Sequence, residues 1–197
     1  MGVAESGESE LIRVSVVDYF SGATLLDSLV WPDVKMQHYN TRFSGVTRQD
    51  MLEARRRRTC LFGRNNTRKA VWKHVGPDTI VVGHGAKSDL SSLRWIHYRI
   101  VDTLLVEEAV TKLKKEGNEV EEAAVASAQD KIEDQGVPDT HTVQQHSGGR
   151  GWSLKALAYR RLNREIQKKG RGHDSIEDAL AARDLLHWHI VNRVMEA

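Results

Sequence analysis

A chain of 197 residues with 40% hydrophobic and 28% charged side chains suits one globular domain with a full core. Its formal net charge of +2 excludes a partner chosen by overall electrostatics, and a lone cysteine, Cys60, excludes an internal disulfide and suits a reducing compartment. No apolar run approaches the roughly 18 residues that span a bilayer, and the acidic, polar "MGVAESGESE" is unlike a secretory signal, so a nuclear or cytoplasmic protein without membrane contact is expected.

"ELIRVSVVDYF" alternates apolar and polar residues in a β-branched run, turns at "SG", and continues into "ATLLDSLVW". This predicts a two-strand hairpin over about residues 10–31. "ESE" at 8–10 reads as a solvated turn leading into it. Thr47 is placed to cap a short helix, and a second helix is expected over residues 65–75. The apolar run Ile80 to Val82 predicts a buried strand, followed by the glycine turn of "VGHGAKSD" and a helix. "RIVDTLLVEEAV" predicts one more short strand and helix. From about 112 to 150 the pattern dissolves into a polar stretch, acidic at first and glycine-rich at its end, read as a disordered insertion or lid within a single domain. Helix resumes at "SLKALAYRRLNREI" and again at Ser175. Strands first, then strand–helix alternation, imply an α/β fold with a mixed sheet flanked by helices.

Two stretches carry candidate chemistry. In "HDSIEDALAARDLLHWHI", Ser175 and Asp178 match a capping box, which alone would account for Asp178. Ile176, Ala179, Leu180, Ala182, Leu186 and Ile190 recur at helical spacing, as a core-facing stripe would. Against this bland reading stands a second carboxylate shortly after a strand: Asp89, behind "VGHGAKSD", where open α/β sheets gather their ligands. A first-turn residue favoured by the helix dipole is the simpler account of Asp89 taken alone. Two carboxylates and nearby histidines suit hard divalent cations such as magnesium.

"VVGHGAKSDLSSL" and "HDSIEDALAARDL" resemble the second and third motifs of the DEDDh 3′-to-5′ exonucleases, and more narrowly the RNA exonuclease branch of the yeast Rex proteins and interferon-stimulated exonuclease. "YNTRFSGVT", "VDTLL" and "SLKALA" are similar to further segments of that branch, in the same order. The resemblance implies a ribonuclease-H-like sheet and hydrolysis of nucleic acid, chiefly single-stranded RNA 3′ ends, with two divalent ions, Mg²⁺ or Mn²⁺. It places Asp89 and Asp178 as metal ligands and His173 as general base, a role chemically open to an imidazole near neutral pH. His84, Met1 and Arg42 fall at substrate-contacting positions.

The family's first motif, Asp-x-Glu ahead of Met-Gly or Met-Val, occurs nowhere in these 197 residues. The expectation is therefore a domain short of its first strand and of half its carboxylates, inactive as it stands. A catalytically dead nucleic-acid-binding module of the same fold is the alternative. Asn40 also stands where the family carries arginine. An HD-type phosphohydrolase, suggested by "HD" at 173–174, is disfavoured because that fold is all-helical.

Between Ala54 and Val75 eight Lys/Arg (Arg55, Arg56, Arg57, Arg58, Arg64, Arg68, Lys69, Lys73) stand without an acidic residue. Nucleic-acid contact, an import signal in "RRRR", or a neutral solvated face all fit such a cluster. Arg160, Arg161 and Arg164 form a second basic strip, and Trp72 and Trp152 are candidates to stack on bases or to be buried.

Overall fold

The computed structural model describes residues 1–129, 151–168 and 172–195. A short strand β1 (Gly2–Ala4) pairs antiparallel with β2 (Ser9–Glu10) on one side and β5 (Met36–His38) on the other. Both edges of β1 are therefore paired, but β1 carries no carboxylate and does not supply the expected Asp-x-Glu strand. Gly2 makes the tight approach possible: a Cβ there would lie 2.5 Å from Met36 Cε and 3.2 Å from Ile12 Cγ2.

The predicted hairpin forms from β3 (Arg13–Val17) and β4 (Thr24–Trp31), and β4 continues in parallel to β6 (Leu61–Phe62). Alternation along β3 sends Val14 and Val16 to a core shared with Leu11, Val30, Val71 and Leu93. The polar residues of the other face are not simply solvated. Arg13 holds Asp27 through two 3.1 Å hydrogen bonds, and Ser15 bonds Ser175 at 2.6 Å, so this face docks the start of a distant helix.

Helix α1 (Thr41–Ser44) precedes α2 (Arg48–Arg57), which Thr47 caps as predicted, with Asp50 closing a capping box. Helix α3 spans Gly63–Val71. Correcting the solvated-turn reading of "ESE", Glu10 is only 7% exposed and takes both its oxygens to Arg64 of α3, at 2.7 and 2.8 Å. Strand β7 (Val81–Gly83) runs parallel to β8 (Ile100–Asp102), with α4 (Ala86–Ser92) between them in sequence.

Helix α5 runs from Thr103 to Gln129, so the segment expected to leave regular structure from 112 is helical for its first part. Its Lys, Glu and Ala content favours helix, and Lys112 and Glu116 pair at i, i+4. The remainder of the predicted insertion, 130–150, lies outside the described residues.

Helices α6 (Leu154–Leu162) and α7 (Ser175–Met195) pack through Ala158, Ala181 and Ile166, all fully buried. Small residues let the two backbones approach. The buried face of α7 is Ala181, Ala182, Leu185 and His189, whereas Ile190 of the predicted stripe is exposed. The stripe is displaced because α7 contacts α6, β3, β7 and α5 on several sides. Where the three carboxy-proximal helices meet, Glu107 is 2% exposed, with Arg161 Nη2 at 2.6 Å and His189 Nε2 at 3.0 Å.

Removing one member of a buried ionic cluster leaves the others uncompensated. Glu107→Ala should therefore destabilise the fold by about 3–5 kcal/mol, and Glu107→Met, with similar volume, by no more than that. Urea unfolding midpoints of both variants measure it.

Candidate active site

The site is built from three loops that converge on two helices. The first is the glycine turn after β7. Gly85 precedes α4 at φ 68°, a conformation glycine adopts without penalty. The free N–H groups of that turn are claimed from across the chain: Asp102, ending β8, accepts from Gly85 N at 2.8 Å and Ala86 N at 2.9 Å, and also from Leu104 N at 3.1 Å. One carboxylate thus fixes the start of α4 and with it Asp89, one turn on.

The second is the loop into α7. Asp174, not Ser175, caps this helix, its side chain accepting from Ile176 N at 2.9 Å. This corrects the capping-box reading, because Ser175 is spent on Ser15 and Asp178 turns elsewhere. The Asp178 carboxylate accepts from Gln167 Nε2 at 2.9 Å and lies 3.5 Å from His173 Nδ1. His173 itself is pinned to α1: its backbone N donates to Phe43 O at 2.6 Å, and the two rings meet edge to face at 6.4 Å. Gly172 permits this crossing, since a Cβ there would meet Gly45 Cα at 2.4 Å.

The third is the stretch that carries Gln167. This residue sits at φ 53°, a strained conformation for a side chain with a Cβ. Its backbone N donates to Glu177 Oε2 at 2.9 Å, and its carbonyl accepts from Lys155 Nζ at 2.6 Å. The side chain is left to hold Asp178.

Electrostatics ties these parts together. Desolvation raises the Asp89 carboxyl above the ordinary aspartate range. The Met1 ammonium group opposes this, while Asp102 and Asp178 add to the rise. Desolvation also raises Asp178, against the Gln167 hydrogen bond and His173, with Glu177 and Asp174 adding to the rise. Burial lowers the Met1 amino group, with Asp89 resisting. Met1 and Asp178 thus act electrostatically on Asp89, which is itself exposed, while His173 acts on Asp178.

The remaining candidates stand differently. His84, lowered mainly by burial, has both ring nitrogens engaged, Nδ1 with Thr103 Oγ1 at 2.9 Å and Nε2 with Trp152 O at 3.0 Å. A ligand would therefore meet its ring face. Arg42 is exposed on α1, its guanidinium 5.7 Å from the centre of the Phe43 ring. Asn40 adopts φ 49°, which asparagine tolerates, and its side-chain amide reaches Met1 O at 3.4 Å.

Of the basic residues, Arg64 is committed to Glu10, Arg161 to Glu107 and Arg164 to Asp184, and Arg160 bonds Gly151 O. The second basic strip is therefore largely internal ion pairing. Arg56, Arg58, Lys69 and Lys73 remain exposed.

Asp89 and Asp178 suit an oxygen-seeking cation in donor type but not in number. Among the described residues no group of three or more His, Cys, Asp or Glu side chains is placed to hold a metal ion. Sequence reading missed Asp102, Gln167 and Phe43. "VDTLL" was noticed only as a motif, and nothing in "IQKKG" marks Gln167 beyond its nearness to His173.

No protein-family model matches the chain. Apoptosis-enhancing nuclease of Rattus norvegicus is 31% identical over 179 residues, covering 90% of this chain and 42% of that protein. An uncharacterised exonuclease of Schizosaccharomyces pombe is 31% identical over 93% of this chain and 22% of its own length. RNA exonuclease 3 of Yarrowia lipolytica is 30% identical over 92% of this chain and 19% of its own. The chain thus spans less than half the length of these curated relatives. Among solved structures, the Neurospora crassa Pan2 catalytic unit (protease and nuclease domain) superposes with a TM-score of 0.64 at 19% identity, over 95% of this chain and 25% of that one. The Saccharomyces cerevisiae PAN2 pseudoubiquitin-hydrolase–RNase module gives 0.62 at 22% identity, over 96% and 24%.

The fold is ribonuclease-H-like: a mixed set of small sheets flanked by helices. Within that class, the curated proteins it resembles over nine-tenths of its length are named as exonucleases and nucleases.

Two expectations follow from the geometry. Gln167→Gly keeps the left-handed backbone but removes the donor, so the Asp178 carboxyl should titrate higher still, read by carboxyl NMR. Asp89 and Asp178 both have folded-state pKa values above their unfolded ones. The folded state thus holds extra protons in that window, and stability falls as pH rises through it. Asp89→Asn should raise the urea midpoint of the metal-free protein at pH 7, and the gain should vanish below the unfolded aspartate range. An unchanged midpoint at pH 7 would show that the crowding costs nothing.

Proposed function

We propose that this domain is built for metal-dependent 3′-to-5′ hydrolysis of single-stranded RNA ends, with Asp89 and Asp178 as two of its metal-binding carboxylates and His173 as general base. The observation that carries this reading is His173 3.5 Å from Asp178 at the start of α7, with Asp89 of α4 within electrostatic reach of Asp178. Placing two carboxylates where their pKa values rise is unfavourable for the empty fold and favourable for a cation. Divalent ions at such a site supply stabilisation of the attacking and leaving oxygens of a phosphoryl displacement.

The chain's own residues do the rest. His173, its backbone fixed by Phe43 O and its ring braced by Phe43, presents an imidazole that accepts the proton of an attacking water. Asp178, 3.5 Å from Nδ1, orients that ring. Gln167 keeps the Asp178 carboxylate turned toward the site. The ring face of His84 and the exposed guanidinium of Arg42 line the approach for a terminal nucleotide, and the Met1 backbone borders Asp89. Nuclear or cytoplasmic RNA is the fitting substrate pool, with "RRRR" at 55–58 as a nuclear import signal.

A binding module that holds RNA without cutting it is the second reading, favoured by the absence of a complete metal-ligand group among the described residues. Activity separates the two. The 197-residue chain should release little or no mononucleotide from 3′-labelled single-stranded RNA with manganese. Joining a segment ending in Asp-x-Glu directly to Met1 should switch release on, and His173→Ala in that extended protein should lower the rate by roughly 10²-fold or more. Equal rates with and without His173 would remove it from the mechanism; continued inactivity of the extended protein would favour the binding module.

A further inference from the structure

The end of α3 meets the loop after α4 in an exposed aromatic cluster that the cleavage site does not use. Trp72, at the carboxyl end of α3, is 50% exposed. Its ring stands edge to face with Trp95 at 6.4 Å, and Trp95 lies against His97 at 4.9 Å. Trp95 is rooted in the core by packing against the cluster of Leu11, Val14, Val30, Val71 and Leu93, so the shelf has a rigid base. Arg68 ties its two halves together. Its guanidinium lies 5.9 Å from the Trp72 ring centre and donates to Leu93 O at 3.2 Å and Arg94 O at 3.0 Å.

The charge around this shelf is one-sided. The helix and loop that build it, 63–77 and 90–101, carry Arg64, Arg68, Lys69, Lys73, Arg94 and Arg99 and no Asp/Glu, with Arg64 committed to Glu10 and Arg99 to Asp78. Lys69, one turn before Trp72, and Lys73, next to it, are both exposed, as is Arg94. Of the carboxylates that flank these segments, Asp78 is paired with Arg99 at 3.1 Å and Asp102 with the N–H groups of the glycine turn. A chain that is nearly neutral overall has therefore concentrated cations around a half-bare indole.

We propose that the shelf of Trp72, Trp95 and His97, with Lys69, Lys73 and Arg94 around it, is a docking surface for the single-stranded RNA 5′ of the end being processed. It rests on the RNA reading above, and it adds a second contact area away from the scissile bond. A single strand alone matches both features at once: a uniformly anionic backbone for the cations and free base faces for the indoles. Stacking of that kind is indifferent to sequence and strong enough to matter, and it is lost in a duplex, where both base faces are occupied. The shelf is close enough to serve the same strand. Trp95 N bonds Leu90 O at the end of α4, and Asp89 lies within that helix, which is only about 10 Å long.

Fluorescence anisotropy of the 197-residue chain with a 5′-labelled 12-nucleotide oligo(rA), and with a blunt RNA duplex of the same length, tests this without chemistry. Trp72→Ala should weaken single-strand binding by roughly tenfold, while Trp72→Phe, which keeps a stacking face, stays close to the unaltered chain. Duplex binding should be weak and insensitive to either change. Lys69→Gln with Lys73→Gln should reduce the slope of log affinity against log salt by about 1.4, the loss of two phosphate contacts on a single strand. Unchanged single-strand affinity in Trp72→Ala, no single-strand binding by the unaltered chain, or equal losses on duplex each overturn the proposal. Hydrolysis of a dinucleotide by the Asp-x-Glu-extended protein probes the cleavage site alone, so failure of the shelf and failure of the exonuclease reading are told apart.

Discussion

The Asp102 carboxylate is the contact on which this site depends. Three backbone N–H groups converge on it: two from the glycine turn and one from the start of α5. Without it the first N–H groups of α4 would be unpaired, as at any uncapped helix start. A short helix of seven residues has little stability of its own, so its position is set by what grips its end. Asp89 inherits that position. The negative charge of Asp102 also contributes, after desolvation, to the rise of the Asp89 carboxyl, so the group that positions Asp89 also disfavours its charged form.

A matching arrangement serves Asp178 from the other side. The start of α7 is held by the polar face of β3, through Ser15 on Ser175 and Arg13 within 3.5 Å of Asp174. Asp174 takes over capping, which frees Asp178 to face Gln167 and His173. A polar strand face that would ordinarily be left to water is here a socket for a helix terminus. The fold thus commits charged groups to placing other charged groups, and the Glu10–Arg64 and Glu107–Arg161 pairs follow the same pattern. Those pairs also explain why a count of arginines overstates the surface open to phosphate.

The division of labour among the basic residues bears on function. Arginines near the sheets and between helices are consumed internally, whereas the lysines at the end of α3 stay in water beside Trp72. A planar, multidentate guanidinium suits an internal pair, while a mobile ammonium suits a backbone that must slide.

Local pattern was enough for the hairpin at 10–31, the Thr47 cap and the helices after 153 and 175, because each rests on side-chain alternation or on residues within one turn, whereas the strand expected from Ile80 begins at Val81, is half-buried, and leaves Ile80 exposed. The ordered motifs around His84, Asp89, His173 and Asp178 were likewise visible, since each group is short and contiguous. What pattern could not decide was every role set by a distant partner. Ser175 and Asp178 have the spacing of a capping box, yet Ser15, 160 positions away in sequence, takes the serine and Gln167 takes the aspartate. "ESE" looks like a solvated turn until Arg64 arrives from α3. The buried face of α7 is displaced from its apolar stripe because helices and strands surround it on several sides, and burial is a property of neighbours, not of one helix. The sequence by itself determined which residues could bind a cation or move a proton. Only the tertiary structure decided which of them meet, because hydrogen bonds and ion pairs act over a few ångströms in space regardless of separation along the chain.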